Sequence, residues 1–161
     1  EKKERMDMLR DLDVDLASLA SSVELDIMPG ENDPTNFTLP HQPLNSCLFP
    51  LSSKLTSFNR VSAPHMCSLD NTLILGTSGE ELHNIKQFIT LEDPIEIVQH
   101  LLCLRHIAPT APDTLAAYPS EEVDPFILET CPHIYFIGNQ EKYSSKLYQG
   151  PEGQKNKNYF Y

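Results

Sequence analysis

VELDIMPGENDPTNFTLPHQP, residues Val23 to Pro43, is the stretch from which the fold is read. It opens as a short apolar strand, Leu25 to Met28. It breaks at Pro29-Gly30 into a polar loop whose prolines are Pro29, Pro34, Pro40 and Pro43. A strand stopped by Pro-Gly that releases Glu31, Asn32, Asp33 and Asn36 serves one of two ends: it places ligating groups, or it makes a rigid connector. The segments on either side have to decide.

Upstream, Lys2 to Ser21 predicts a helix. Leu9, Leu12, Leu16, Leu19 and Val23 recur at steps of three and four, an apolar stripe expected to pack on the chain's own sheet. Asp11, Asp13 and Asp15 fall on other faces and are expected in solvent. Helix, short linker and apolar strand make an α/β unit, so a parallel or mixed sheet follows.

Downstream, Leu44 to Leu51 is apolar but broken by Pro50, a turn of helix or an extended segment. Thr56 to Val61 reads as a weak strand. His65 to Leu69 and Thr72 to Thr77 flank Asp70-Asn71, a dipeptide suited to positive φ, and predict a hairpin. Ser78 and Glu81 have capping-box spacing ahead of Leu82, Ile85, Phe88 and Ile89. Asp93 as cap and Pro94 at the first helical position start a second helix through Ile97, Val98, Leu101, Leu102 and Leu104, ending near His106. Thr110 to Pro125 is a connector. Phe126 to Leu128, Ile134 to Ile137 and Tyr143 to Tyr148 are expected strands, and the closing QKNKNYFY carries no pattern.

Composition bounds function. At 161 residues the chain is one ordinary domain or most of one, and its 40% hydrophobic content suits a core. No apolar run approaches the ~18 residues of a membrane span. The chain starts at Glu1 without a signal-peptide pattern, so a fragment is expected. Twelve basic against 23 acidic residues, a net charge of −11, argue against an autonomous nucleic-acid binder and suit protein partners or simple solubility. Cys47, Cys67, Cys103 and Cys131 are scattered, with no CxxC, and read as reduced, mostly buried thiols.

Motifs of chemistry are sparse. His41, His65, His83, His100, His106 and His133 form neither HxH nor HxxxH. His100 and Cys103 share a helix face but lack the second close pair a zinc site needs. GxSxG, Walker A and GxGxxG are missing. Thr77-Ser78-Gly79 could hold an anion, although capping is the simpler use.

Two strand ends remain, Gly30-Glu31-Asn32-Asp33 and Gly138-Asn139-Gln140-Glu141. They resemble the G-N-H-[DE] and G-H-x-H motifs of calcineurin-type metallophosphoesterases, in which Asn and His grip two metal ions. Neither motif here holds a histidine. An amide such as Asn32 or Asn139 does not titrate near neutral pH and cannot act as a general acid. Glu31 or Glu141 could still touch a hard cation.

Beyond these motifs, the ordered blocks MPGENDPTNFTLPHQPL, LGTSG, LRHIAPTAPDTL, DPFILETCPHIYFIGNQ and QGPEGQK resemble the small (second, regulatory) subunits of eukaryotic DNA polymerase delta, from about Leu9 to Lys155. The resemblance implies an α/β fold: part of a metallophosphoesterase-like αββα sandwich, with mixed β-sheets flanked by helices. It implies that 1–155 is the C-terminal part of an inactive phosphoesterase-like domain, that 156–161 is a divergent tail, and that the family's OB domain lies outside this chain. The implied function is a nuclear scaffold for replication and repair synthesis. Its partners would be the C-terminal domain of the polymerase catalytic subunit and the third subunit, and in several lineages polymerase zeta, with DNA contacted mainly through the complex and no membrane. No residue is assigned a catalytic, cofactor or metal role. The alternatives are a working metal-dependent phosphoesterase and a freestanding protein-binding domain.

Overall fold

The TLILG run forms the expected hairpin, and the rest of the sheet is laid against it. In this computed structural model, residues 2–121, 123–149 and 157–160 are described. Helix α1 (Lys2–Ala20) leads into β1 (Leu25–Ile27), and two 3-10 turns follow at Ser46–Leu48 and Ser52–Lys54. Next come β2 (Phe58–Arg60), β3 (His65–Leu69), β4 (Thr72–Thr77), α2 (Glu80–Ile85) and α3 (Pro94–Leu104). Strands β5 (Ile134–Ile137), β6 (Leu147–Gln149) and β7 (Lys157–Phe160) complete the order.

A two-stranded parallel sheet pairs β1 with β2, and a five-stranded mixed sheet runs β3-β4-β5-β7-β6. In the larger sheet β4, β5 and β7 are parallel, while β3 and β6 lie antiparallel on its two edges. Asp70 and Asn71 take φ of +45° and +64°, the left-handed turn that lets β3 fold back on β4. Gly76 stands opposite Phe136 in the β4–β5 register, and a methyl there would overlap the Phe136 ring.

The larger core lies between this sheet and α2 and α3. It is built on Leu75, Leu82, Ile97, Val98, Leu102 and Tyr135. The Asp93 carboxylate accepts from the Ile95 N–H at 3.0 Å, with Pro94 next in line, so α3 starts as its sequence dictates. It ends at Arg105, at φ +54°.

Several expectations are corrected. The buried face of α1 is Leu9, Asp13, Leu16 and Ala20, packed on a second small cluster with Leu44, Phe49 and Phe58. Leu12, Leu19 and Val23 are exposed, so the packed stripe is rotated around the helix from the one read off the leucines. Asp13 is buried rather than solvated, because unpaired backbone N–H groups at Leu51 and Ser52 face it. Ser78 does not cap α2. The cap is Gly79, and Glu81 turns inward to Thr77. Phe88 is exposed. Phe126 and Leu128 are buried with Ile127 outward, but they make only an isolated bridge to the chain leaving α3, since that turn offers a single rung. The last hairpin strand starts at Leu147, not Tyr143. The patternless tail supplies β7, between β5 and β6. The cysteines form no disulfide and are not mostly buried: Cys47 and Cys103 are exposed, and Cys67 and Cys131 are half-buried.

Candidate functional site

Three chain exits converge where the parallel strands end: Gly30 beyond β1, Thr77-Ser78-Gly79 beyond β4, and Gly138-Asn139 beyond β5. A methyl placed on Gly30 would stand 3.1 Å from Asn139 Nδ2 and 3.9 Å from Ser78 Cβ, so the two motifs touch across the third loop. The Asn139 side chain donates to the Ser78 carbonyl at 2.9 Å, and the Gly138 N–H donates to the Thr77 carbonyl at 2.9 Å. Asn139 itself holds φ +55°, a conformation asparagine tolerates better than most residues.

The polar groups at these ends are spent on the backbone. Asp33 accepts from the Gly30 N–H at 2.8 Å, closing its own loop. Gln140 donates to the Gly138 carbonyl at 3.0 Å. Glu31, Asn32 and Glu141 point from exposed positions. Among the described residues, no group of three His, Cys, Asp or Glu ligand atoms forms at these ends. The first turn of α2 carries Glu80 and Glu81, which repel an anion at Thr77-Ser78-Gly79. The other pair suggested by the sequence is not assembled either: His100 is exposed, and Cys103 Sγ lies 2.9 Å from the Tyr148 hydroxyl. That hydrogen bond, with burial, pushes the Tyr148 hydroxyl up to about 12.

Beneath the loops lies a buried polar network. The Thr77 hydroxyl donates to Glu81 Oε1, and the Tyr135 hydroxyl reaches the same oxygen at 3.4 Å. Burial pushes the Glu81 carboxyl upward, only partly opposed by the Thr77 hydrogen bond. Burial also raises Tyr135 well above its ordinary range, with the Glu81 charge adding to it. These groups tie α2 to β4 and β5 and are closed to any substrate.

The proline-rich loop of 29–43 is a packed plug. The Leu39 N–H donates to the Ala116 carbonyl and the Tyr118 N–H to the Leu39 carbonyl, both at 2.9 Å, which stitches the loop to the 108–119 connector. His41 is fully buried. Its Nδ1 donates to the Asn36 carbonyl at 2.8 Å, and its Nε2 meets Glu80 Oε2 at 2.6 Å. The sequence offered no signal for this pairing, since His41 and Glu80 belong to segments far apart along the chain.

A cleft of about 290 Å³ opens beside the β5 exit, between α3 and Tyr143, with Ile95, Val98 and Ile137 on its walls. It is mostly apolar and brings no titratable pair to the loops.

The architecture, a mixed sheet flanked by helices with its loops gathered at the parallel strand ends, is consistent with part of a phosphoesterase-like α/β fold. The chain belongs to the DNA polymerase alpha/epsilon B-subunit family, whose model matches residues 1–146. It is 48% identical over 146 residues to a DNA polymerase delta small subunit of Arabidopsis thaliana, covering 91% of this chain and 33% of that protein. It is 46% identical over 144 residues to DNA polymerase delta subunit 2 of Drosophila melanogaster, covering 89% and 33%. The small subunit of Saccharomyces cerevisiae is 29% identical over 176 residues, covering 91% and 36%. The chain thus spans about a third of the length of the curated relatives it matches.

Proposed function

We propose that this chain is the C-terminal part of the phosphoesterase-like domain of an accessory subunit of DNA polymerase delta, and that its role is to hold other subunits rather than to catalyse. The observation that carries this is the closure of the strand-end loops on themselves. Asp33, Asn139 and Gln140 each bond to backbone in the same cluster of loops, where a working phosphoesterase would turn its side chains toward two metal ions. The names of the relatives supply the complex. The finer reading is a nuclear scaffold that grips the C-terminal domain of the catalytic subunit and the third subunit, is shared with polymerase zeta in some lineages, and serves replication and repair synthesis. The net charge of −11 supports protein contacts over phosphate contacts as the source of affinity.

The test is co-purification from nuclear extract of a full-length protein carrying this region, with and without nuclease. The catalytic subunit should be recovered equally in both, and recovery should persist at moderate salt. Recovery only with intact DNA would sink the scaffold reading. Phosphodiester hydrolysis in manganese that vanishes in Asp33→Ala would replace it with the enzymatic one.

A further inference from the structure

One rung back from the strand-end loops, the two sheets meet at a cluster of a different kind. Asp26 is the central residue of β1, and His65 and Cys67 alternate on β3, so both of the latter point to one face of the larger sheet. One ligand atom from each of the three lies within 4.8 Å of the others. Among the described residues, this is where three such atoms gather. No sequence pattern marks the cluster, because HxC is not a standard zinc spacing and Asp26 comes from a separate strand.

The details fit a metal better than an ion pair. His65 Nε2 is shut off from solvent and makes no hydrogen bond. Asp26 Oδ2 stands 3.4 Å from it, too poorly placed to accept. Asn59, opposite Asp26 in the β1–β2 register, donates to Asp26 Oδ1 at 2.9 Å and aims the other oxygen at the imidazole. This is the outer-shell support that orients ligating carboxylates. Tetrahedral zinc, with bonds of about 2.0–2.3 Å, sets its ligands about 3.3–3.7 Å apart. The Asp–His separation already matches at 3.4 Å, and Cys67 Sγ stands within 4.8 Å of both.

We propose that Asp26, His65 and Cys67 bind a single zinc ion, which clips the small sheet to the edge of the large one. The mixed oxygen, nitrogen and sulfur donor set selects zinc over magnesium or calcium. Asp26 lies on the exposed side, and the fourth position faces solvent and takes a water. The site lies one rung back from the strand-end loops, since His65 pairs with Gly76 just before Thr77, and it uses none of the residues of those loops.

The experiment is a Co²⁺ titration of the full chain after chelator treatment and exchange into metal-free buffer, followed by Zn²⁺ competition. Expected is one Co²⁺ per chain, with a thiolate-to-cobalt charge-transfer band that Zn²⁺ abolishes. Cys67→Ser should lose the band, while Cys47→Ser, at an exposed thiol, keeps it. Asp26→Asn, at a solvent-facing carboxylate that leaves the core intact, should weaken binding at least tenfold. Asn59→Ala should weaken it about tenfold or more. Folded chain, judged by circular dichroism, that takes up no stoichiometric Co²⁺ would overturn the proposal. So would a band that survives Cys67→Ser, or an affinity unmoved by Asp26→Asn. None of these results bears on hydrolysis or on subunit recovery, so this inference and the scaffold reading fail separately.

Discussion

Replacing Asp13 with alanine should destabilise the chain by about 2–4 kcal/mol. The carboxylate is 1% exposed and accepts from the Leu51 N–H at 2.8 Å, the Ser52 N–H at 2.9 Å and the Ser52 hydroxyl at 2.7 Å. Ser52 is wholly buried, so its orphaned N–H carries the full penalty of a buried donor, about 1–3 kcal/mol. Leu51 is partly exposed, and its N–H regains water, leaving a loss of about 0.5–1.5 kcal/mol. Urea unfolding followed by far-ultraviolet circular dichroism measures the sum, which corresponds to about 1–2 M in midpoint for a slope near 2 kcal/mol/M. The same residue sets a pH dependence. Burial is the largest influence on its pKa and raises it, but the Ser52 and Leu51 hydrogen bonds and the Lys54 charge together outweigh burial and hold it below its ordinary value. A lowered carboxylate adds stability that is complete above the ordinary aspartate range and is lost as pH falls through the folded value. Asp13→Asn should lack this acid-side arm. A double-mutant cycle with Ser52→Ala should show coupling of at least about 1 kcal/mol. Additivity within about 0.5 kcal/mol, or an Asp13→Ala cost below that, would refute the account.

Gly79→Ala should cost at least about 3 kcal/mol by thermal or urea melts, since φ is +89° and the methyl would overlap the Gly138 carbonyl oxygen. Gly138→Ala, whose methyl would meet nothing closer than the Thr77 oxygen at 3.5 Å, should stay within about 1 kcal/mol; equal costs would contradict the packing described. Glu81→Gln keeps the acceptor for Thr77 and Tyr135 and removes the buried charge. Because the folded carboxyl is raised, the wild type should lose stability as pH climbs from the ordinary glutamate range through the folded value, and Glu81→Gln should lose that slope in melts across pH.

Local chemistry made much of this fold legible. Asp70-Asn71 signalled a left-handed turn, and Asp93-Pro94 signalled a helix start; both need only neighbouring residues, and both form as read. The apolar runs of β4 and β5 announced buried strands for the same reason. Asp13 did not read correctly, because its partners sit in a 3-10 turn far along the chain, and without them an aspartate belongs in water. Glu81 has the spacing of half a capping box, but the inward pull of Thr77 and Tyr135 wins. The strand Lys157–Phe160 shows no alternation because its place is set by pairing with β5 and β6. At the candidate site, the two motifs were legible as strand ends, whereas their mutual contact through Ser78 was not. The gathering of Asp26, His65 and Cys67 is tertiary throughout.

The state of the strand-end loops has an energetic consequence for any metal that approaches them. For Asp33 to ligate through Oδ2, it must release the Gly30 N–H, an exposed bond whose loss to water costs about 0.5–1.5 kcal/mol. Asn139 would have to surrender the Ser78 carbonyl at a similar cost, and its left-handed backbone loses the tie that holds it. Glu31 and Glu141 are exposed, so each brings only a solvated single charge. A metal pair needs several ligands oriented before it arrives. Here each candidate is either engaged elsewhere or free in water, and orienting them all would undo the contacts that hold the loops together. Self-closure of this kind fixes the loops as surfaces. That rigidity would suit the scaffold role proposed above, since little conformational entropy remains to be lost when a partner binds.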